Sequence, residues 1–209
     1  MSSPFPRLYA IIDPAQTGQH SLAAVTEVLV SAGVRLIQYR DKRATSSELF
    51  ETSRQIADLV RKAQGVFIVN DRADVARAVD ADGVHLGQDD LPVELARRIL
   101  SVGKWVGYST HILAQVIEAE KSSADYIAFG PVFPTQSKEN PDPVVGLEGL
   151  RKARQATRKP LVAIGGITVE NARAAIEAGA DSVAVISDLL KAADIGQRAR
   201  QFLNVLQAT

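Results

Sequence analysis

The stretch SAGVRLIQYRDK (31–42) holds three messages in a row. Ser31, Ala32 and Gly33 read as a helix ending in small residues and a glycine. Leu36, Ile37 and Tyr39 then form an apolar run of strand length. Gln38, Arg40 and Lys42 occupy every second position, so a strand continued through them points all three the same way. A surface loop accounts for the charges, but not for polar residues that start while the strand pattern is still running. The same passage from helix end to apolar strand recurs as DADGVHLG (80–87), SSADYIAF (122–129) and AGADSVAV (178–185), which makes it a repeated junction.

Extending outward from these junctions gives eight apolar runs: 8–12, 35–39, 66–70, 83–86, 105–109, 126–130, 160–164 and 182–186. Most are too short for helices, and near-continuous apolar character marks parallel strands covered on both faces. Between them lie helix-period segments. Leu22, Val25, Val28 and Leu29 share one face of 21–32, Leu49, Ile56, Val60 and Ala63 one face of 46–63, and Leu95, Ala96, Ile99 and Leu100 one face of 92–101. Thr45 and Glu48 have capping-box spacing, Pro92 suits a first helical turn, and Gly33, Gly65 and Gly179 stand where helices should stop. Eight strand–helix units predict a single (β/α)₈ TIM barrel filling residues 1–209, with an open doubly wound sheet as the alternative.

The 209 residues are 46% hydrophobic, ample for one core, and 24 basic residues balance 24 acidic ones. Nucleic-acid or membrane-surface binding calls for a basic excess that is missing here. The sequence has no cysteine and only three histidines, which excludes disulfides and thiolate metal sites and disfavours a histidine zinc site. No secretory signal or apolar run of about 20 residues is present, so a soluble, cytoplasmic protein is expected. The oligomeric state is open, and a homo-oligomer is compatible with the sequence.

In a TIM barrel the site collects at the C-terminal ends of the strands. Strand 2 ends in Gln38, Arg40 and Lys42, which suit phosphate oxygens if they face inward. Strand 3 ends in Asn70 and Asp71, and strand 4 is followed by Gln88, Asp89 and Asp90. Asp71 and Asp90 are candidate ligands of a hard cation such as Mg²⁺; taken singly each, preceding a helix, reads as an N-cap, but their pairing beside the cationic strand favours metal. Strand 5 ends in Ser109, followed by His111, to which no duty is assigned; His85, within strand 4, reads as a satisfied interior group. The connection 130–146 is long and carries Thr135, Ser137 and Lys138, a segment that could cover a ligand or be a plain insertion. Gly165 and Gly166 after strand 7, and Ser187 after strand 8, provide backbone groups of the kind that bind a monophosphate. The tips therefore suggest two phosphorylated reactants without naming either.

With these residues assembled, the sequence resembles the thiamine phosphate synthases. The likeness runs along nearly the whole chain through YAIID, IQYRDK, IVNDRADVA, ADGVHLGQDDLP, GYSTH, FGPVFPTQSK, AIGGIT and AGADSVAVIS, and its most specific part is VND…GVHLGQDD together with the PTQSK loop. The resemblance implies a Mg²⁺-dependent transferase that joins an aminopyrimidine methyl pyrophosphate to a thiazole phosphate and releases pyrophosphate. It implies that Gln38, Arg40 and Lys42, assisted by Asn70 and Lys138, hold the pyrimidine pyrophosphate, and that Asp71 and Asp90 bind Mg²⁺. Ser109 would lie near the pyrimidine or its leaving group, Thr135 and Ser137 would meet the second substrate, and Gly166, Ile186 and Ser187 would cradle the thiazole phosphate. Arg40, Lys42, Ser109 and Lys138 are the implied catalytic set. Ser137 departs from the threonine common in the family, and ENPDPVVG makes the loop longer than in the shortest members. A sister family of thiazole tautomerases, and a non-catalytic phosphate-binding barrel, are the competing readings.

Overall fold

A computed structural model describes residues 5–18, 20–135 and 142–207. Eight parallel strands close on themselves in sequence order, β1 (Leu8–Ile12), β2 (Leu36–Tyr39), β3 (Val66–Asn70), β4 (Gly83–Leu86), β5 (Trp105–Thr110), β6 (Tyr126–Phe129), β7 (Leu161–Ile164) and β8 (Ser182–Val185). β8 returns to pair with β1 through Leu8–Val183 and Tyr9–Ala184, so the sheet has no edge. The helices are α1 (Leu22–Ser31), α2 (Ser46–Lys62), α3 (Ala73–Ala78), α4 (Val93–Ile99), α5 (Leu113–Lys121), α6 (Gly146–Ala156), α7 (Val169–Glu177), α8 (Ser187–Leu190) and α9 (Ile195–Gln207). This is the (β/α)₈ barrel that the repeated junction predicts, and the open-sheet alternative falls.

Side-chain alternation divides the apolar residues into two cores. Tyr9, Ile11, Leu36, Ile68, Tyr126 and Val162 point inward and fill the barrel. Leu8, Ile12, Ile37, Phe67 and Val69 point outward into the layer between sheet and helices, where Leu29, Ile56 and Phe202 meet them. Each such fully buried side chain stabilises the fold by about 1.5–3 kcal/mol relative to exposure. Phe5 stacks on Trp105 with ring centroids 5.2 Å apart, at the end of the barrel where the strands begin. The polar tips lie at the other end.

Local signals act largely as read. Thr45 Oγ1 accepts from the Glu48 backbone N–H while Glu48 accepts from the Thr45 N–H at 2.8 Å, so both halves of the box at the start of α2 are made. Thr45→Ala is expected to cost about 1 kcal/mol, read as a lower midpoint in chemical denaturation with an unchanged slope.

Three details differ from expectation. α4 buries Val93 and Ala96, and Leu100 just after it is buried too, while Leu95 and Ile99 are exposed; the helix is only seven residues long, and the inner stripe is set by spacings of three and four from Val93. On α1, Val28 is likewise exposed. After α2, the left-handed residue is Gln64, with φ 56°, one position before the expected glycine. Gly65 is needed for another reason: a Cβ there would stand 2.8 Å from Val60 Cγ1.

Candidate active site

A cleft of about 570 Å³ opens where the strands end, lined among others by Gln38, Arg40, Lys42, Asn70, Ser109 and Gly166. On β2, the alternation that puts Leu36 inside the barrel carries Gln38 to the same side, buried, and aims Arg40 and Lys42 along it. The Arg40 backbone N–H still donates to Ile12 O at 2.9 Å, so the strand pairing holds one residue beyond the assigned element. The Arg40 guanidinium is ion-paired with Asp13, whose carboxylate is only 8% exposed. Asp13 accepts a further bond from the Ala15 N–H at 2.9 Å. Lys42 pairs with Asp71 across the gap between the β2 and β3 tips.

Asp71 sits in the left-handed region at φ 62°, uncommon for a side chain larger than glycine. Its N–H donates to His85 O at 2.7 Å, which turns the chain out of β3 and over β4. There its carboxyl group hydrogen-bonds that of Asp90, and Asp90 Oδ2 accepts from the Gly87 N–H at 2.7 Å. Neither acid caps a helix: α3 begins after Arg72 and α4 after Pro92, both without a side-chain cap. The N-cap reading therefore fails for both. Burial, reinforced by the hydrogen bond with Asp90, pushes the Asp71 pKa up to about 6 against the pull of Lys42. Burial acts on Asp90 too, but the bonds from Asp71 and the Gly87 N–H outweigh it and hold Asp90 below the usual carboxylate range.

Two carboxyl groups this close repel each other when both are ionised. A divalent cation removes that conflict. The pair fits Mg²⁺, which takes one or two carboxylates and completes its shell with water and phosphate oxygens. Among the described residues no group of three or more acids, histidines or cysteines is arranged to hold a metal by itself.

The opposite wall is backbone. Gly165 and Gly166 have φ values of 92° and 65°. A Cβ on Gly166 would stand 2.4 Å from Pro134 O, and one on Gly165 would stand 2.4 Å from Pro131 Cβ. Here glycine serves both conformation and close approach. Asn171 Nδ2 donates to Gly166 O at 2.9 Å and fixes the turn. Ile186 and Ser187, at the junction of β8 and α8, line the same side.

Thr135 also lines the cleft; Ser137 and Lys138 lie outside the described residues. Sequence reading passed over Asp13, visible only as the acid closing LYAIID, and it gave His111 no duty. His111 Nδ1 lies 2.7 Å from Gly130 O and 3.4 Å from Asp142 Oδ2, so it touches both stems of the connection between β6 and α6. His85, expected to be satisfied inside the barrel, is bonded through both ring nitrogens, to Tyr126 and to Ser109.

The family model and the curated relatives agree on one family. The family model described as thiamine monophosphate synthase matches residues 8–189. A thiamine-phosphate synthase of Koribacter versatilis is 50% identical over 207 residues, spanning 97% of each chain. One of Chloroflexus aurantiacus is 43% identical, over 97% of this chain and 94% of its own. Among solved structures, the thiamine phosphate pyrophosphorylase from Pyrococcus furiosus superposes with a TM-score of 0.88 at 37% identity, over 97% of this chain and 96% of the other.

Proposed function

The chain belongs to the thiamine monophosphate synthase family, and on that premise we propose that its cleft runs the reaction by letting a diphosphate leave before the new bond forms. The substrates on this reading are an aminopyrimidine methyl diphosphate and a thiazole phosphate. The observation that carries it is the juxtaposition of the Asp71–Asp90 pair with Arg40 and Lys42 on one wall and the Gly165–Gly166 turn on the other. A diphosphate needs cations and a metal; a monophosphate is satisfied by backbone donors.

Arg40 and Lys42, with Asn70 and Lys138, hold the diphosphate oxygens. Asp71 and Asp90 hold Mg²⁺. When bound, the metal supplies positive charge to the leaving oxygens. Gln38 and Ser109 hold the pyrimidine. Gly166, Ile186 and Ser187 receive the thiazole phosphate, and Thr135 and Ser137 border it. The carbon–oxygen bond breaks with its electron pair going to the diphosphate, while the aminopyrimidine ring donates electrons to the exocyclic carbon. The thiazole nitrogen then gives its lone pair to that carbon. No proton has to be removed, so the chain's task is to orient the two rings and stabilise a departing polyanion. Residues around the cleft that exclude water strengthen every one of those charge contacts. Among the described residues no helix is long and apolar enough to cross a membrane, and the reading places the enzyme in the cytoplasm with small-molecule partners.

Supplying both phosphorylated substrates with Mg²⁺ and measuring pyrophosphate tests this directly. One pyrophosphate per thiamine phosphate formed is expected. Thiazole isomerisation without pyrophosphate release would replace the reading with that of a tautomerase. Gly166→Ala is expected to raise the KM for the thiazole phosphate at least tenfold, since a Cβ there meets Pro134 O, and to leave the KM for the pyrimidine within about twofold; a steady-state kinetic comparison decides it.

A further inference from the structure

Beneath the cleft the barrel interior holds polar groups that the chemistry above leaves unused. Tyr9 of β1 and Tyr126 of β6 are fully buried and His85 of β4 nearly so. Their polar atoms join into one line. Gln38 Nε2 donates to Tyr9 Oη at 2.7 Å, Tyr9 Oη lies 2.8 Å from Tyr126 Oη, and Tyr126 Oη lies 3.1 Å from His85 Nδ1. His85 Nε2 in turn lies 2.8 Å from Ser109 Oγ. The line crosses the barrel through side chains of five strands and begins and ends on residues that face the cleft. β5 makes room for it: a Cβ on Gly107 would stand 2.3 Å from Tyr126 Oη and 2.5 Å from His85 Nδ1. A glycine inside a strand weakens it, and here it clears the space in which the line is made.

Each hydroxyl has one proton to give, and that fixes an order. Tyr9 accepts from the Gln38 amide, and among the described residues the other partner of its buried hydroxyl is Tyr126 Oη, so its own proton goes there. Tyr126 accepts that bond and gives its proton to His85 Nδ1. A neutral His85 then carries its hydrogen on Nε2 and donates to Ser109 Oγ. Ser109, having accepted, keeps its own O–H for the cleft. Gln38, with its nitrogen turned toward Tyr9, has its carbonyl oxygen turned away from it. Burial raises the pKa of both phenols well above the ordinary value, so both protons stay in place.

We infer that Tyr9, Tyr126 and His85 are positioning residues that set a fixed hydrogen-bond polarity in the cleft floor, an acceptor at Gln38 and a donor at Ser109. This polarity selects an aminopyrimidine: a ring amino group gives its hydrogen to Gln38, and a ring nitrogen accepts from Ser109. The inference deepens the proposed function and rests on it for the identity of the ring. The order itself does not depend on that reading. Reversing it would require the Gln38 amide to turn over and His85 to carry its hydrogen on Nδ1.

Tyr126→Phe cuts the line and keeps the ring. It is expected to raise the KM for the pyrimidine diphosphate about tenfold, the cost of one misdirected polar group, and to leave the KM for the thiazole phosphate within about twofold. On a Ser109→Ala background the same change should cost clearly less than in the wild type, because the part of its effect that runs through Ser109 is already gone. Equal losses in both backgrounds, or equal shifts for both substrates, would overturn the inference. Nitrogen NMR of the ¹⁵N-histidine-labelled wild-type protein tests the order even if Tyr126→Phe does not fold. With the His85 signals identified by their loss in His85→Gln, the expected form is Nε2–H with a bare Nδ1; an Nδ1–H form overturns the inference. A wild-type protein that turns over neither substrate would contradict the proposed function, and the tautomer would still decide the order.

Discussion

Arg40→Ala is expected to lower kcat/KM by about 10²- to 10³-fold, the usual cost of removing one preorganised group that stabilises developing negative charge. It is also expected to destabilise the fold, because Asp13 is buried and its carboxylate accepts from Arg40; stranding a buried charge typically costs about 3–5 kcal/mol. The two losses separate by a second change. Arg40→Ala combined with Asp13→Asn removes the unpaired charge and should recover most of the thermal midpoint while the rate stays low. If the rate returned with the midpoint, Arg40 would be a structural brace for the β1 and β2 tips and would have no part in holding the diphosphate. Arg40→Lys keeps the charge and loses the planar fork; a rate between those of the wild type and Arg40→Ala is expected.

Asp71→Asn should raise the Mg²⁺ concentration for half-maximal activity at least tenfold and lower kcat at saturating metal by about 10²-fold, in line with the loss of one anionic ligand beside the leaving group. Asparagine is the apt replacement because it tolerates the left-handed backbone that Asp71 adopts, so the turn over β4 survives. The change leaves Lys42 without its carboxylate partner, but Lys42 is 54% exposed, so water solvates the freed ammonium at little cost. A titration of activity with Mg²⁺ reads the effect. An unchanged metal dependence would remove Asp71 from the metal site and leave it a turn residue that pairs with Lys42.

Repetition made the barrel legible. A helix end, a small or acidic residue and an apolar run recur along the chain, and the strands fall where those runs stand, within a residue or two at their ends. The helix faces were harder to read, because Leu95 and Ala96 are both apolar and only packing against the sheet determines that Ala96 is buried and Leu95 exposed. The polar tips were legible for a similar reason to the strands: Gln38, Arg40 and Lys42 interrupt a strand pattern at its inward positions. Asp71 and Asp90 were ambiguous between cap and ligand, since an acid before a helix looks the same in either role. The left-handed turn at Asp71 and the N-cap of α3 at Arg72 remove the cap reading, and neither is a property of composition.

Partners distant in sequence were not legible at all. Asp13 meets Arg40 from 27 residues away, and Tyr9 meets Tyr126 across 117. Tyr9 lies within an apolar strand run, and Tyr126 begins one. Their hydroxyls become informative only once closure of the barrel puts both inside it, where a buried hydroxyl must find a partner. Gly107 shows the same limit: in WVGYS it is an unremarked glycine, and in the barrel it is the gap that lets Tyr126 approach His85.

A crystal structure of the protein with Mg²⁺ and pyrophosphate tests the central claim most directly. The metal is expected between Asp71 and Asp90, touching pyrophosphate oxygens, with Arg40 and Lys42 within hydrogen-bond reach of the same anion and the Gly165–Gly166 turn left for the second substrate. Pyrophosphate seated on that glycine turn, or a metal bound away from both aspartates, would contradict the account.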